Sequence, residues 1–146
     1  MSATESAVVN RTESVILADT SCWIEYFHPN GSPRVKSNLR EAIGGDRVAV
    51  CGPVLCELLR GAARADQTRI RRAMDGQIHL AQEDTDWREV GRVLGELQQK
   101  GLQPPILDAL ISVIAARHGV ALWHFGDGHF GSIGQLLDLD LVDLKT

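Results

Sequence analysis

The chain has 146 residues, 44% hydrophobic and 23% charged, with a formal net charge of −4. That length suits one domain with a real core, and the composition excludes a wholly disordered chain. The acidic balance, with a pI near 5.7, argues against coating nucleic acid by bulk electrostatics and leaves only a local basic face for that purpose.

The opening "MSATESAVVNRTES" is polar and acidic and lacks the basic start and apolar middle of a signal peptide. Residues 1–14 are therefore expected to be a flexible N-terminal extension, and the chain a cytoplasmic protein. The apolar stretch "ALISVIAA" from Ala109 is far shorter than the roughly 20 residues that span a bilayer, so no membrane role is expected. Cys22, Cys51 and Cys56 form no C-x-x-C pair and read as buried, reduced thiols.

After the extension, β-rich runs alternate with helical patterns. The runs are "VILAD" from Val15, "RVAVC" from Arg47, "QIHLA" from Gln77, "VALWH" from Val120 and "LDLVD" from Leu139. Such alternation predicts an α/β fold with a mostly parallel sheet, in one domain from residue 15 to 146. Following the first run, Trp23 and Phe27 stand at helical spacing and are expected to fill a core or a dimer contact.

In "GPVLCELLRGAAR" a proline stands near the start, and Leu55, Leu58, Leu59 and Ala62 follow the spacing of a buried stripe. Glu57 then faces away from that stripe with Arg60 and Arg64. Between Arg60 and Arg72 five arginines, Arg69 among them, stand against Asp66 alone, a local basic surface on which RNA phosphates or an acidic partner could dock. "EDTDWREVGRVLGELQQKG" reads as an amphipathic helix with Trp87, Val90, Val93, Leu94 and Leu97 inward. "PPILDALISVIAARHG" predicts a helix that ends at Gly119, with Asp108 in its first turn and Arg117 and His118 in its last. The strand "VALWH" then leads into the loop "FGDGHFGSI", where Asp127 lies between two glycines.

Taken singly, each of four acids has an ordinary reading: Asp19 as a helix cap, Glu57 as a surface residue, Asp108 as a first-turn acid, Asp127 as turn chemistry. Their positions relative to the strands say more. Functional groups of an open parallel sheet gather beyond the carboxyl ends of its strands, where Asp19, Glu57 and Asp127 belong; spacing alone does not locate Asp108. Carboxylates gathered there repel one another, and a divalent cation removes that penalty. Oxygen donors without a Cys/His set favour Mg²⁺ or Mn²⁺, ions suited to phosphodiester chemistry.

Together "LADTSCWIEYF", "PVLCELLRG", "LDALISVIAARHG" and "LWHFGDGHF" resemble the successive motifs of PIN-domain nucleases, most closely the VapC-type ribonuclease toxins of bacterial toxin–antitoxin pairs. The resemblance runs from Val15 to Leu144. It implies a three-layer α/β/α sandwich and a metal-dependent endoribonuclease with Asp19, Glu57, Asp108 and Asp127 as its acidic, metal-holding quartet. Thr20 or Ser21 would support that site, and Arg60, Arg64 and Arg69 would meet RNA or antitoxin. It also implies a homodimer and an antitoxin whose tail blocks the groove. Many relatives carry an acid where this chain has His129, and an imidazole there suits Mn²⁺ better than Mg²⁺. The competing readings are a PIN-like nuclease of RNA processing, a non-catalytic PIN-like binding module, and a phosphotransferase with an aspartyl phosphate. The last lacks the second Asp and the poised lysine its chemistry needs.

Overall fold

The structure is a computed structural model that describes residues 14–146. The N-terminal extension expected over residues 1–14 lies, apart from Ser14, outside the described residues. Five short strands form one sheet: β1 (Ile16–Ala18), β2 (Val48–Cys51), β3 (Ile78–Leu80), β4 (Ala121–His124) and β5 (Leu141–Asp143). Each lies within one of the five β-rich runs. Every pairing is parallel and the order is β3-β2-β1-β4-β5. The order thus reverses between β1 and β4, and the carboxyl ends of those two strands open a crevice.

The helices are α1 (Thr20–Phe27), α2 (Pro33–Gly44), α3 (Gly52–Gly61), α4 (Gln67–Asp75), α5 (Asp84–Gln99), α6 (Ile106–His118) and α7 (His129–Gly134), with a 3₁₀ turn at Arg64–Asp66. The chain leaves β1 toward β2 and β3 in one direction and toward β4 and β5 in the other. Right-handed crossovers then put α1–α4 on one face and α5–α7 on the other, and the contacts follow that division: α1 touches α2 and α3, α3 touches α4, and α6 touches both α5 and α7. This is the α/β/α sandwich. Helices α3 and α6, from opposite layers, also touch each other.

Sheet strands β1 and β2 are buried along their whole length, as strands covered on both faces must be. Helix α6 is buried without interruption from Asp108 to Ala115, the environment that an all-round apolar helix demands. It ends as its sequence indicates, at Gly119 with φ +65°. Trp23 is buried and stacks on half-buried Phe27 at 5.7 Å. None of the helices among the described residues is long and apolar enough to cross a membrane.

Several expectations need correction. Trp87 is not on the inward face of α5: it is 43% exposed, and its neighbour Asp86 is buried at 2%. Hydrophobicity alone assigns these two the other way round. Arg117 from the end of α6 decides it, donating from Nε to Asp86 Oδ1 at 2.7 Å and from Nη2 to Oδ2 at 3.0 Å. Burial alone would raise the Asp86 pKa, but these bonds, the Glu83 N–H and the guanidinium charge hold it below the usual carboxylate value. On α3 the fully buried side chains are Pro53, Val54 and Leu58, while Leu55, Leu59 and Ala62 of the expected stripe are half-buried at the margin of the core. Cys22 and Cys51 are buried, but Cys56 is exposed on the outer side of α3. Burial pushes the Cys51 thiol up to about 12 and raises that of Cys22 too, so both stay protonated and unreactive.

Three helices had no counterpart in the reading of the sequence. Helix α2 has a visible signal in Ser32, Pro33 and the apolar spacing Val35, Leu39, Ala42, and Ser32 Oγ accepts the Val35 N–H as its cap. Helix α4 hides its apolar residues, Ile70 and Met74, among arginines. The glycine-rich stretch "FGDGHFGSI", which reads as a loop, contains the short helix α7, formed where Phe130 and Ile133 enter the core.

Candidate metal centre

The end of β1 delivers Asp19 to the crevice, and that residue does two things at once. It is the N-cap of α1, its Oδ2 accepting from Ser21 N–H at 3.1 Å and from Ser21 Oγ at 2.7 Å. It is also 2% exposed and faces other acids. The capping role and the functional role are therefore compatible, one oxygen serving the helix.

Glu57 projects from the middle of α3, and Asp108 from the first turn of α6. The contact of α3 with α6 brings both to Asp19: one carboxylate oxygen from each of Asp19, Glu57 and Asp108 lies within 4.8 Å of the others. Asp108 is 6% exposed. Glu57 is half-buried and held by Thr20, whose Oγ1 donates to its Oε1 at 2.9 Å. Asp127 is outside this group of three but near enough for its charge to act on both Asp108 and Asp19, while its Oδ1 accepts the His129 N–H at 3.0 Å. Thus Asp108, whose location spacing could not give, is at the centre.

The electrostatics follow from burial. Withdrawal from water raises the Asp19 pKa, and the hydrogen bonds from Ser21 and Thr20 pull it back only in part. Asp108 is pushed up to about 7, first by burial and then by the charges of Asp127, Asp19 and Glu57. Among the described residues no Lys, Arg or His forms an ion pair with any of the four. Clustered carboxylates, two of them buried, without a cationic side chain fit a hard divalent ion, for which oxygen donors at one point are the requirement. Asp19, Glu57 and Asp108 would hold it, with Asp127 alongside. Thr20→Val keeps the branched shape but drops the bond to Glu57. It is expected to weaken Mn²⁺ binding by about tenfold, read by titration calorimetry, with little change in melting temperature.

His129 is exposed, and its backbone N–H, not its ring, meets the site by donating to Asp127 Oδ1 at 3.0 Å. Arg60 and Arg64 are exposed on α3 and the following 3₁₀ turn. Arg69 on α4 stands 5.4 Å over the Phe27 ring and 3.9 Å from Asp66. It lines a groove of about 550 Å³ that Glu57, Ile24, Phe27, Leu58 and Ile70 share, so the groove runs from the acidic cluster between α1, α3 and α4.

Two groups outside the quartet hold the loop that carries Asp127. His124 Nδ1 accepts the Asp127 N–H at 3.1 Å, and Asp143 Oδ1 accepts the Gly126 N–H at 2.8 Å. The second had a signal: Asp143 ends a β-rich run as Asp19 does. The glycines around Asp127 differ in role, since Gly126 has φ +66° and a side chain there would strike Lys145 at 2.6 Å, whereas Gly128 has ordinary backbone at φ −68°.

Residues 16–135 match the family model of the PIN domain. The chain is 31% identical over 137 residues to "VapC ribonuclease Mb1587" of Mycobacterium bovis and to "Ribonuclease VapC11" of Mycobacterium tuberculosis, an alignment covering 90% of this chain and all of each relative. Among solved structures, the fold is shared with the protein in "Structure of FitAB bound to IR36 DNA fragment" (TM-score 0.72, 17% identity, 90% of this chain and 96% of that one). It is shared too with a DNA-bound VapBC of Salmonella typhimurium (TM-score 0.70, 18% identity, 90% and 98%). With its reversal of strand order beside Asp19 and its acids converging from β1, α3 and α6, the chain belongs to the PIN-domain family, alongside the VapC ribonucleases.

Proposed function

We propose that this protein is a metal-dependent endoribonuclease, the toxin of a type II toxin–antitoxin pair, which hydrolyses RNA phosphodiester bonds and so inhibits translation and growth until its antitoxin neutralises it. The observation that carries this reading is the meeting of buried Asp19 and Asp108 with half-buried Glu57 within 4.8 Å, without a cationic partner among the described residues, in a chain whose relatives are named ribonucleases.

Asp19, Glu57, Asp108 and Asp127 are the residues assigned to the metal and to catalysis. A bound Mg²⁺ or Mn²⁺ would polarise the scissile phosphate and lower the pKa of a water. The chain's own part is to hold that geometry. Ser21 fixes Asp19 and Thr20 fixes Glu57, so two of the acids are oriented before any ligand arrives. No side chain needs to become covalently attached to substrate. A preference for Mn²⁺ over Mg²⁺ would require the exposed His129 ring to turn in toward the site that its backbone N–H already meets, and equal cleavage with both ions at matched concentration counts against it.

RNA is assigned to the basic surface of Arg60, Arg64 and Arg69 at the rim of the groove, where phosphates can be neutralised next to the acids. The antitoxin is assigned to the groove itself. Its apolar lining by Ile24, Phe27, Leu58 and Ile70 suits a peptide with bulky side chains, and Glu57 at one end suits a cationic one. A homodimer is supported by an apolar hollow of about 450 Å³ among α3, α5 and α6, with exposed Cys56 and Trp87 on its lining.

The test is cleavage of a total RNA pool by purified protein with Mn²⁺ or Mg²⁺, against an EDTA control; cleavage that persists in EDTA overturns the metal reading. Exchanging Arg64 and Arg69 together for Ala should weaken RNA binding and flatten its dependence on salt by about two counter-ions. A salt slope identical to that of the parent protein removes RNA from this surface.

A further inference from the structure

Asp127 is the one acid of the quartet that no strand or helix positions directly, since it stands in the loop between β4 and α7. Yet three successive amides of that loop are each taken by a side chain. Phe125 N–H donates to Ser21 Oγ at 2.9 Å, Gly126 N–H to Asp143 Oδ1 at 2.8 Å, and Asp127 N–H to His124 Nδ1 at 3.1 Å. Ser21 also binds Asp19. That acceptor ties the loop to the acidic cluster, and the other two tie it to the neighbouring strands β4 and β5, where His124 is in register with Asp143.

Of the three acceptors Asp143 has the most leverage. Gly126, whose amide it holds, is the residue with the left-handed φ of +66°, and so the point where the chain bends into Asp127. The same Oδ1 accepts the Lys145 N–H at 2.9 Å and folds the last residues back over the bend. There the Lys145 stem fills the space a Gly126 side chain would need, and its ammonium lies 5.8 Å from the Phe125 ring.

We propose that Asp143, outside the acidic quartet and near the end of the chain, is a positioning residue for the reaction: by holding the Gly126 amide it fixes the bend that sets the Asp127 carboxylate beside the acidic cluster. This rests on the reading of the quartet as a metal centre. A side chain that merely anchors the C-terminal segment would influence melting temperature and leave the metal site alone, which gives the measurement that separates the two.

The experiment compares parent protein, Asp143→Ala, Asp143→Glu and Asp143→Asn by Mn²⁺ titration followed by electron paramagnetic resonance, and by amide hydrogen exchange of the metal-free proteins. Asp143→Ala is expected to raise the Mn²⁺ dissociation constant about tenfold and to speed exchange at Gly126 and Asp127. Asp143→Glu, which keeps the charge but displaces both oxygens, should behave likewise and serves if the Ala variant does not fold. Asp143→Asn retains an oxygen able to accept both N–H groups and should return to within about threefold of the parent. An unchanged Mn²⁺ constant in the Ala and Glu variants overturns the proposal, as does an Asn variant no better than Ala, which would point to charge instead of position. Failure of the metal-centre reading looks different: parent protein and Asp19→Asn would then take up equally little Mn²⁺. The exchange rates would still report whether Asp143 holds the loop.

Discussion

Asp19→Asn is expected to lose RNA cleavage by roughly 10³-fold or more while the metal-free protein melts at a higher temperature than its parent. Loss follows because a carboxylate oxygen at the focus of the cluster is replaced by a neutral amide. Metal-borne stabilisation of a transferring phosphate amounts to several kcal/mol, with about 1.4 kcal/mol for each factor of ten. The rise in stability follows from the same burial. The Asp19 pKa is raised by its removal from water, so its charge costs folding free energy at neutral pH, and Asn removes that charge. The fold survives because Asn caps helices as well as Asp does, and its oxygen can accept the two Ser21 bonds. Time courses on RNA and thermal melts in EDTA measure both. Normal cleavage by the Asn variant would contradict a metal role for this residue.

The second large effect is in pH. Asp108 loses its proton near 3.8 in the unfolded chain and holds it until about 7 in the folded, metal-free protein. Between those values the folded state binds more protons than the unfolded one. The stabilisation from this group is therefore complete below about pH 4, falls as pH rises, and is gone above 7. From pH 5 to 7 the loss is about 2–3 kcal/mol. Asp86 and Asp143, both held below the ordinary value, act in the opposite sense, but only as the pH drops below about 4. Burial pushes the Asp143 carboxyl upward, and the N–H groups of Lys145 and Gly126, with His124 and Lys145 charge, outweigh it. A divalent ion must displace the Asp108 proton, so Mn²⁺ affinity should climb close to tenfold per pH unit below 7 and level off above it. Melts in EDTA and Mn²⁺ titrations from pH 5 to 8 test both limbs, with Asp108→Asn as the variant in which the stability slope shrinks to the part that buried Asp19 supplies. A metal-free protein equally stable throughout, with affinity independent of pH, would refute the coupling.

Much of this was readable along the chain because it depends on local chemistry. Alternating apolar runs and amphipathic segments specify strands and helices by periodicity, so β1 to β5 could be anticipated. So could α1, α3, α5 and α6, with Gly119 ending the last of them, because a left-handed residue there needs a glycine. Asp19 at the end of β1 and Asp127 in the loop after β4 are legible for the same reason, and so is Asp143 at the end of β5. Apolar spacing failed where an ion pair outweighed it: Asp86 is buried and Trp87 exposed because Arg117, 31 positions away, satisfies the carboxylate.

What the amino-acid order determined by itself was the five strands, the helices α1, α3, α5 and α6, their sequence, and which residues bear acid at the ends of strands or the starts of helices. Only the tertiary structure decided that Glu57 from the middle of one helix and Asp108 from the start of another meet Asp19, 38 and 89 positions from it. The physical reason is topological. The sheet reverses its strand order between β1 and β4, and α3 and α6 from opposite layers close over the resulting crevice. Contacts of that span depend on how whole layers pack, a property no window of neighbouring residues contains.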